Sequence, residues 1–443
     1  MSRAMEIAER TLALVGTRAE AEVRATSGNL ALTRFANSFI HQNVAEDGDT
    51  VSLRVSLDGR VASGTTTRTD PDALADFSDR ILETAALQPV DEDWPGVAPP
   101  AATAGQGNAD EVTLGAAPAD RAERVKAFVD AGRGLSAAGY CMTTGSEVAF
   151  VNSAGQHAAG RFTEAVLDGI QQTDTSAGSG HAASNRLGDL DGTSVGDLAT
   201  RRALDSADTF DLKPGEYEVI LAPECVATIG VFLAVYGFNA KLHEEQQSFA
   251  ELGVTQFDER LSIYDDPTDP RAIGVPFDTE GTPSRRLDMI RDGVTTGLTF
   301  DRRTARKAGV VSTGHHSPWS AVYGPIAGNI FIDPGGGTID ELIASVERGL
   351  YVSTFNYCRV LEPKTMVVTG LTRNGTFLIE NGKITGAVSN LRFTQSFLTA
   401  LAPGQLLGIG DDARFADSEF GTGMLHGPSM RLAGWNFTGG TDG

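Results

Sequence analysis

Turn signals recur through the second half of the chain at intervals too short to hold helices between them. In TMVVTGLTRNGTFLIENGKITGAV (residues 365–388), Asn374-Gly375 and Asn381-Gly382 interrupt runs of β-branched and aromatic residues. Asn-Gly tolerates the positive φ that a two-residue hairpin turn demands, so the pattern predicts short antiparallel strands. GNIFIDPGGGT (328–338) and SNLRFTQSFL (389–398) continue the theme. Strands this closely spaced imply a curled, barrel-like sheet with few helices.

The first half alternates differently. Met5–Val15 is amphipathic at helical spacing, and ALTRFANSFIHQNV and TVSLRVSLDGRVASGTTT alternate apolar with polar residues. Asp58-Gly59 marks a hairpin between the latter strands. Asp70-Pro71 opens a helix with a cap and a proline where both are favoured. A second helix over DRAERVKAFVDAGRGL leads to more hairpin-like strands, residues 146–171. Residues 95–118 read as a long surface loop. Thr173 to Asp191, small and polar, reads as a flexible boundary or a mobile loop beside a site. The fold class is therefore α+β in two domains: an N-terminal α/β-meander domain over residues 1–205 and a C-terminal β-rich, barrel-like domain over 206–443.

The chain of 443 residues has a formal net charge of −22, which repels nucleic-acid phosphates and anionic lipid surfaces. Neither nucleic acid nor membrane is an expected partner. The N-terminus lacks the uninterrupted apolar core of a signal peptide. Cys141, Cys225 and Cys358 are scattered without CxxC pairing, which suits a reducing compartment. These features predict a cytoplasmic protein.

The candidate chemistry is sparse. His243-Glu244 begins an HExxH zinc pattern, but the second histidine position is Gln247, a poor ligand. His315 and His316 are adjacent in a Gly/Ser/Pro loop. Neighbours on an extended chain point apart, so a loop hydrogen-bonding or substrate-contact role is expected before a metal role. His426 stands alone near the C-terminus. The aspartates of IYDDPTDP (263–270) lack EF-hand spacing, and DPGGGT (333–338) lacks the Lys-Ser/Thr of a phosphate loop.

Four stretches, residues 32–67, 278–309, 338–352 and 374–398, resemble in order the TldD/PmbA family, also called TldD/TldE or "modulator of DNA gyrase". The resemblance implies zinc peptidases and their non-catalytic partners. Peptidase members carry HExxxH on a helix after a strand like EVIL, with a late cysteine as third ligand. The matching positions, near 229–231 and 234–236, fall in VATIGVFLAVY (226–236), which has no His, Glu, Asp or Cys, and the chain's end has no cysteine. The resemblance is thus to the TldE/PmbA type. It implies no zinc in this chain, zinc in a TldD-type partner of a heterodimer (with a homodimer possible in its absence), and an unfolded peptide as substrate. His315 and His316 become expected peptide contacts. The alternatives are a self-sufficient homodimeric metallopeptidase with a metal relocated to His243, His426 or the His315/His316 loop, or a peptide-binding scaffold.

Overall fold

The computed structural model describes residues 2–440. Its N-terminal half is built on long hairpins. Strands Glu20–Ala36 and Phe39–Leu57 pair antiparallel from Glu20↔Ser56 to Ala36↔Phe39, and Arg60–Thr66 forms the outer edge. Asp58 and Gly59 both take positive φ (48° and 78°), as the hairpin between the last two strands requires. Ser136–Asn152 and His157–Gln172 extend the sheet on the other side.

Alternation decides the faces. Val23, Ala25, Val51, Leu53 and Val55 bury against helices Arg3–Val15 and Pro71–Leu87. Asp70 caps the second of these helices, its carboxylate accepting from the Ala73 amide, with Pro71 at the first position as the sequence anticipates. Further along the sheet, Phe35, Cys141 and Leu167 bury against helices Pro118–Ala131 and Gly192–Asp205.

Two local expectations are corrected. Thr173–Asp191 is not a flexible linker. Ala177–Ser184 within it is a strand, paired with Ala165–Gln172, whose small residues let the helix Gly192–Asp205 lie close: a Cβ on Gly178 would stand 2.2 Å from the Ala199 carbonyl oxygen. Asn374-Gly375 is not a hairpin turn either. The strand Val367–Glu380 runs through it, Val352↔Thr376 being followed by Thr354↔Arg373, so the positive φ values (56° and 127°) serve a bulge. Asn381-Gly382 does form the expected turn, between Val367–Glu380 and Lys383–Val388.

The barrel predicted for the second half closes on five strands. Gly215–Leu221 pairs with Arg348–Glu362 on one side and Met430–Gly440 on the other. Leu391–Ser396 links Met430–Gly440 to Val367–Glu380, which returns to Arg348–Glu362. Its interior is aromatic, with Phe355 and Trp435 stacked at 5.2 Å and Phe393 and Phe397 against them. Short strands from the second half, Ile263–Asp265, Leu287–Arg291, Val294–Thr295, Ile330–Ile332, Arg414–Phe415 and Leu425–Gly427, continue the N-terminal sheet to twelve strands. Among the described residues no helix is long and apolar enough to cross a membrane.

Candidate functional site

Strand Gly215–Leu221 leaves the barrel and turns directly into helix Pro223–Tyr236. Proline at its first turn fits the unused amides there. Every residue from Pro223 to Val235 is buried, and apart from Glu224 and Thr228 the helix is apolar around its whole circumference, as a helix inside a core must be. At Gly230 a Cβ would meet Leu425 Cδ1 at 2.2 Å, so the strand Leu425–Gly427 presses on the helix where a larger residue would stand. Phe232 packs its ring 5.0 Å from Phe420 and 5.8 Å from Tyr236.

The one charge on the helix is structural. Glu224, 3% exposed, is gripped by Arg414 at 3.0 and 3.2 Å and Arg202 at 3.4 and 3.4 Å. Burial opposes its ionisation, but the two guanidiniums outweigh that and hold the carboxyl well below its usual range. Arg202 belongs to helix Gly192–Asp205, so this cluster ties the N-terminal helical layer to the barrel's helix.

The four candidate histidines fall in unrelated settings. His243 sits on the short helix Ala240–Glu244, which ends before Gln247; Gln246 at φ 59° turns the chain away, so the HExxH letters never share a helical face. His315 is buried, its Nε2 3.1 Å from Asp265 Oδ2 and its Nδ1 2.8 Å from Thr313 Oγ1. Asp265 also accepts the Gly328 and Asn329 amides, which accounts for one aspartate of IYDDPTDP; Asp269 pairs with Arg271. His316 points the other way. Its Nδ1 is 2.6 Å from Thr279 Oγ1 and its Nε2 3.8 Å from Glu280 Oε1, and it lines a cleft. Burial lowers its pKa against the pull of Glu280. His426 lies between the rings of Phe331 (5.7 Å) and Phe415 (5.2 Å), and burial, aided by Arg271, pushes it down to about 4. It is a neutral packing group. Thus the structure brings none of the four together.

Among the described residues, no three His, Cys, Asp or Glu side chains are grouped to hold a metal ion. At the helix positions nearest the family's histidines stand Ile229, Gly230, Val231, Ala234, Val235 and Tyr236. Five are buried and carry only hydrocarbon or no side chain, and the sixth is the half-buried phenol of Tyr236; with no imidazole, carboxylate or thiolate among them, these residues do not fit a zinc ion.

Sequence reading missed the most heavily charged buried cluster. Arg54 lies between Glu22 and Glu280, bonding both, Glu280 at 2.8 Å. Glu280 Oε2 also accepts the Arg302 amide at 3.1 Å. The participants are up to 258 residues apart in the chain, so no local motif announces them. The usable signal was Glu22 and Arg24, two charges at same-face positions of one strand.

Residues 214–439, which contain the barrel and the helix that follows its first strand, match the PmbA/TldA metallopeptidase C-terminal domain family. The chain belongs to the TldD/PmbA family. It is 27% identical over 206 residues to a metalloprotease TldD homolog of Haemophilus influenzae, covering 45% of this chain and 42% of that one. It is also 27% identical over 249 residues to the metalloprotease PmbA of Escherichia coli O157:H7, covering 54% and 51%. The chain therefore spans about half or less of the length of these relatives. Its fold superimposes on TldE from Thermococcus kodakarensis with a TM-score of 0.86 at 18% identity (98% and 99% covered). A Thermotoga maritima protein described as a modulator of a DNA gyrase gives 0.82 at 17% (98% and 99% covered).

Proposed function

We propose that this chain is the zinc-free, TldE/PmbA-type subunit of a two-subunit zinc metallopeptidase that degrades or processes small unfolded peptides. The observation that carries the reading is the helix Pro223–Tyr236, which holds no imidazole, carboxylate or thiolate at the positions where the peptidase members place their histidines. Zinc in a TldD-type partner would supply an activated water. This chain's residues would bind and enclose the peptide and exclude bulk water, which lowers a barrier without touching the metal. We assign residues 1–205 and 206–443 to the two domains of this subunit, and His316, not His315, to the side that contacts a ligand, because His315 is spent on Asp265.

The test is co-expression with a TldD-type subunit. The purified chain alone is expected to hold no stoichiometric zinc and to leave casein-like peptides intact, while the pair cleaves faster than the partner alone. About one zinc per isolated chain, or a partner equally active without it, would overturn the proposal.

A further inference from the structure

The strand Ala177–Ser184 carries a histidine that no hydrogen bond accounts for. His181 is 5% exposed, and neither of its ring nitrogens has a hydrogen-bond partner among the described residues. The register sets it directly opposite Asp168, and Asp168 opposite Tyr140, so three strands present these side chains as one row. Leu167, one position away, packs toward the helices, so the row lies on the other face of the sheet. His181 Nδ1 stands 3.6 Å from Asp168 Oδ2, close for two charges but too long for a hydrogen bond.

Two more carboxylates close on this row. Glu164 shares the face of Asp168 on the strand His157–Gln172, and Asp417 follows the strand Arg414–Phe415, whose Phe415 is opposite Ala183. The loop beyond Asp417 passes tightly over Glu164: at Gly423, φ 77°, a Cβ would stand 3.0 Å from Glu164 Oε1. Burial, then Asp168, Asp417 and Glu164 in turn, push the Tyr140 phenol up to about 12, so all three carboxylates act on one hydroxyl. Burial also lifts the Glu164 and Asp417 carboxyls. Among the described residues no lysine or arginine forms an ion pair with Glu164, Asp168 or Asp417. Arg34, opposite Tyr140 on the next strand, is exposed and engages none of them. Behind Asp417, Glu224 is already held by Arg202 and Arg414. His181 is therefore the one group of the cluster able to carry positive charge. It lies beneath acceptors that solvent reaches: the Asp168 side chain is 31% exposed, and Glu164, Asp417 and Tyr140 are half-buried.

Three carboxylates without a counter-cation repel one another, and either a proton on His181 or a cation from solvent relieves them. No three of these side chains are grouped closely enough to hold one metal ion, so the space suits a larger head. We propose that the cluster binds the guanidinium or alkylammonium group of an organic cation at Asp168, Asp417 and the Tyr140 hydroxyl, in exchange for the proton on His181. A planar guanidinium can donate to two carboxylates at once and lie against an aromatic ring, which favours it over an ammonium. Histidine changes charge between about pH 5 and 8, so the exchange falls near neutrality. Protonated His181 cancels part of the carboxylate charge, and neutral His181 leaves it to the ligand, so affinity rises with pH. Protonation of Glu164 and Asp417 at lower pH acts in the same direction, and substitution of His181 isolates its share. The inference stands on this chain alone and does not depend on how the helix Pro223–Tyr236 is read.

The full chain is titrated calorimetrically at pH 8 and about 0.15 M salt, where loose attraction to an acidic surface is screened. The probes are N-acetyl-L-arginine amide, agmatine and the neutral isostere N-acetyl-L-citrulline amide, each up to ~10 mM, the range of weak binding. Both guanidinium compounds are expected to bind, and the citrulline compound at least ~10-fold more weakly, which is one charge-assisted contact. Tighter binding of the arginine compound assigns the site to a basic side chain of a peptide, and tighter binding of agmatine to a free amine. Near pH 6.5, histidine's ordinary midpoint, binding should release a proton, read as a difference in heat between two buffers of unlike ionisation enthalpy. His181→Gln should keep the affinity at pH 8 and lose that release. Asp417→Asn, in the loop rather than the sheet, should weaken binding ~10-fold, so the prediction survives if the strand variant fails to fold. Equal binding of the citrulline compound, no heat from either cation, no proton release, or full affinity in Asp417→Asn overturns the proposal. Binding of manganese(II) in place of both organic cations would make this a metal site and overturn it as well.

Discussion

Replacing Glu224 by alanine should destabilise this protein more than almost any other single change outside the aromatic core. Glu224 and Arg202 are each about 4% exposed at the side chain, so water does not screen the pair. The carboxylate receives four contacts of 3.0–3.4 Å from two guanidiniums. Alanine removes all four and leaves the Arg202 charge buried with neutral acceptors, the Ser179 carbonyl at 3.0 Å and the Tyr351 hydroxyl. Breaking a buried pair in this way costs about 3–5 kcal/mol. Arg414 is 29% exposed and can turn to Asp412, 3.8 Å away, so its loss adds little. Adding Arg202→Met to Glu224→Ala should recover at least ~1 kcal/mol, because the stranded charge goes too. Stability is read from urea unfolding followed by far-UV circular dichroism and by tryptophan fluorescence. Fluorescence reports on three tryptophans, Trp435 in the barrel, Trp94 beside the N-terminal sheet and the exposed Trp319, so a fluorescence transition that departs from the circular dichroism one shows that the layers part separately. A loss below ~1 kcal/mol for Glu224→Ala, or further destabilisation by Arg202→Met, would refute the reasoning.

Three further outcomes follow from other residues. Grafting the zinc pattern back as Val231→His, Phe232→Glu and Tyr236→His should give an insoluble or strongly destabilised chain without zinc, since a carboxylate at Phe232 (2% exposed) costs several kcal/mol; a folded variant with one zinc by elemental analysis would contradict this. His315→Ala should cost about 2 kcal/mol in thermal unfolding, as Asp265 keeps two amide donors, while His316→Ala, half-buried, should cost about 1 kcal/mol; equal losses would contradict the division of roles. Glu22, raised by burial to about 7, contributes stability that is present below its unfolded value of 4.5 and lost as pH rises through 7, about 3 kcal/mol in all between pH 4.5 and 8; Glu22→Gln should flatten the stability profile over that window, and an unchanged slope would contradict it.

What the sequence disclosed and what it hid divide along chain distance. The hairpin at Asp58-Gly59, the cap at Asp70 and the turn at Asn381-Gly382 are decided by residues within a few positions, and local φ preference suffices to find them. Asn374-Gly375 failed because the same positive φ serves a bulge as well as a turn, and only the partner strand Arg348–Glu362, about twenty residues upstream, chooses between them. Ala177–Ser184 failed because its small polar residues resemble a linker in isolation; their strand character comes from His157–Gln172 on one side and the close-packed helix on the other.

The same distance argument separates the two sites. VATIGVFLAVY could be recognised as non-ligating from its letters alone, because a helical metal motif is local by construction: its ligands must recur within two turns. The Glu22–Arg54–Glu280 cluster has no such constraint. Glu22 and Arg54 lie on neighbouring strands of the first half and Glu280 in a turn of the second, and what makes the cluster chemically unusual, a carboxylate oxygen buried without a donor among the described residues, is a property of the surroundings rather than of the residues. Glutamate and arginine two apart on a strand read as a solvated face whenever the opposite side of the sheet is known to be apolar, as it is here at Val23 and Ala25. Only the roof contributed by Thr279, from one of the stretches that resembles the family, and by His316, beyond the end of that stretch, turns that face inward.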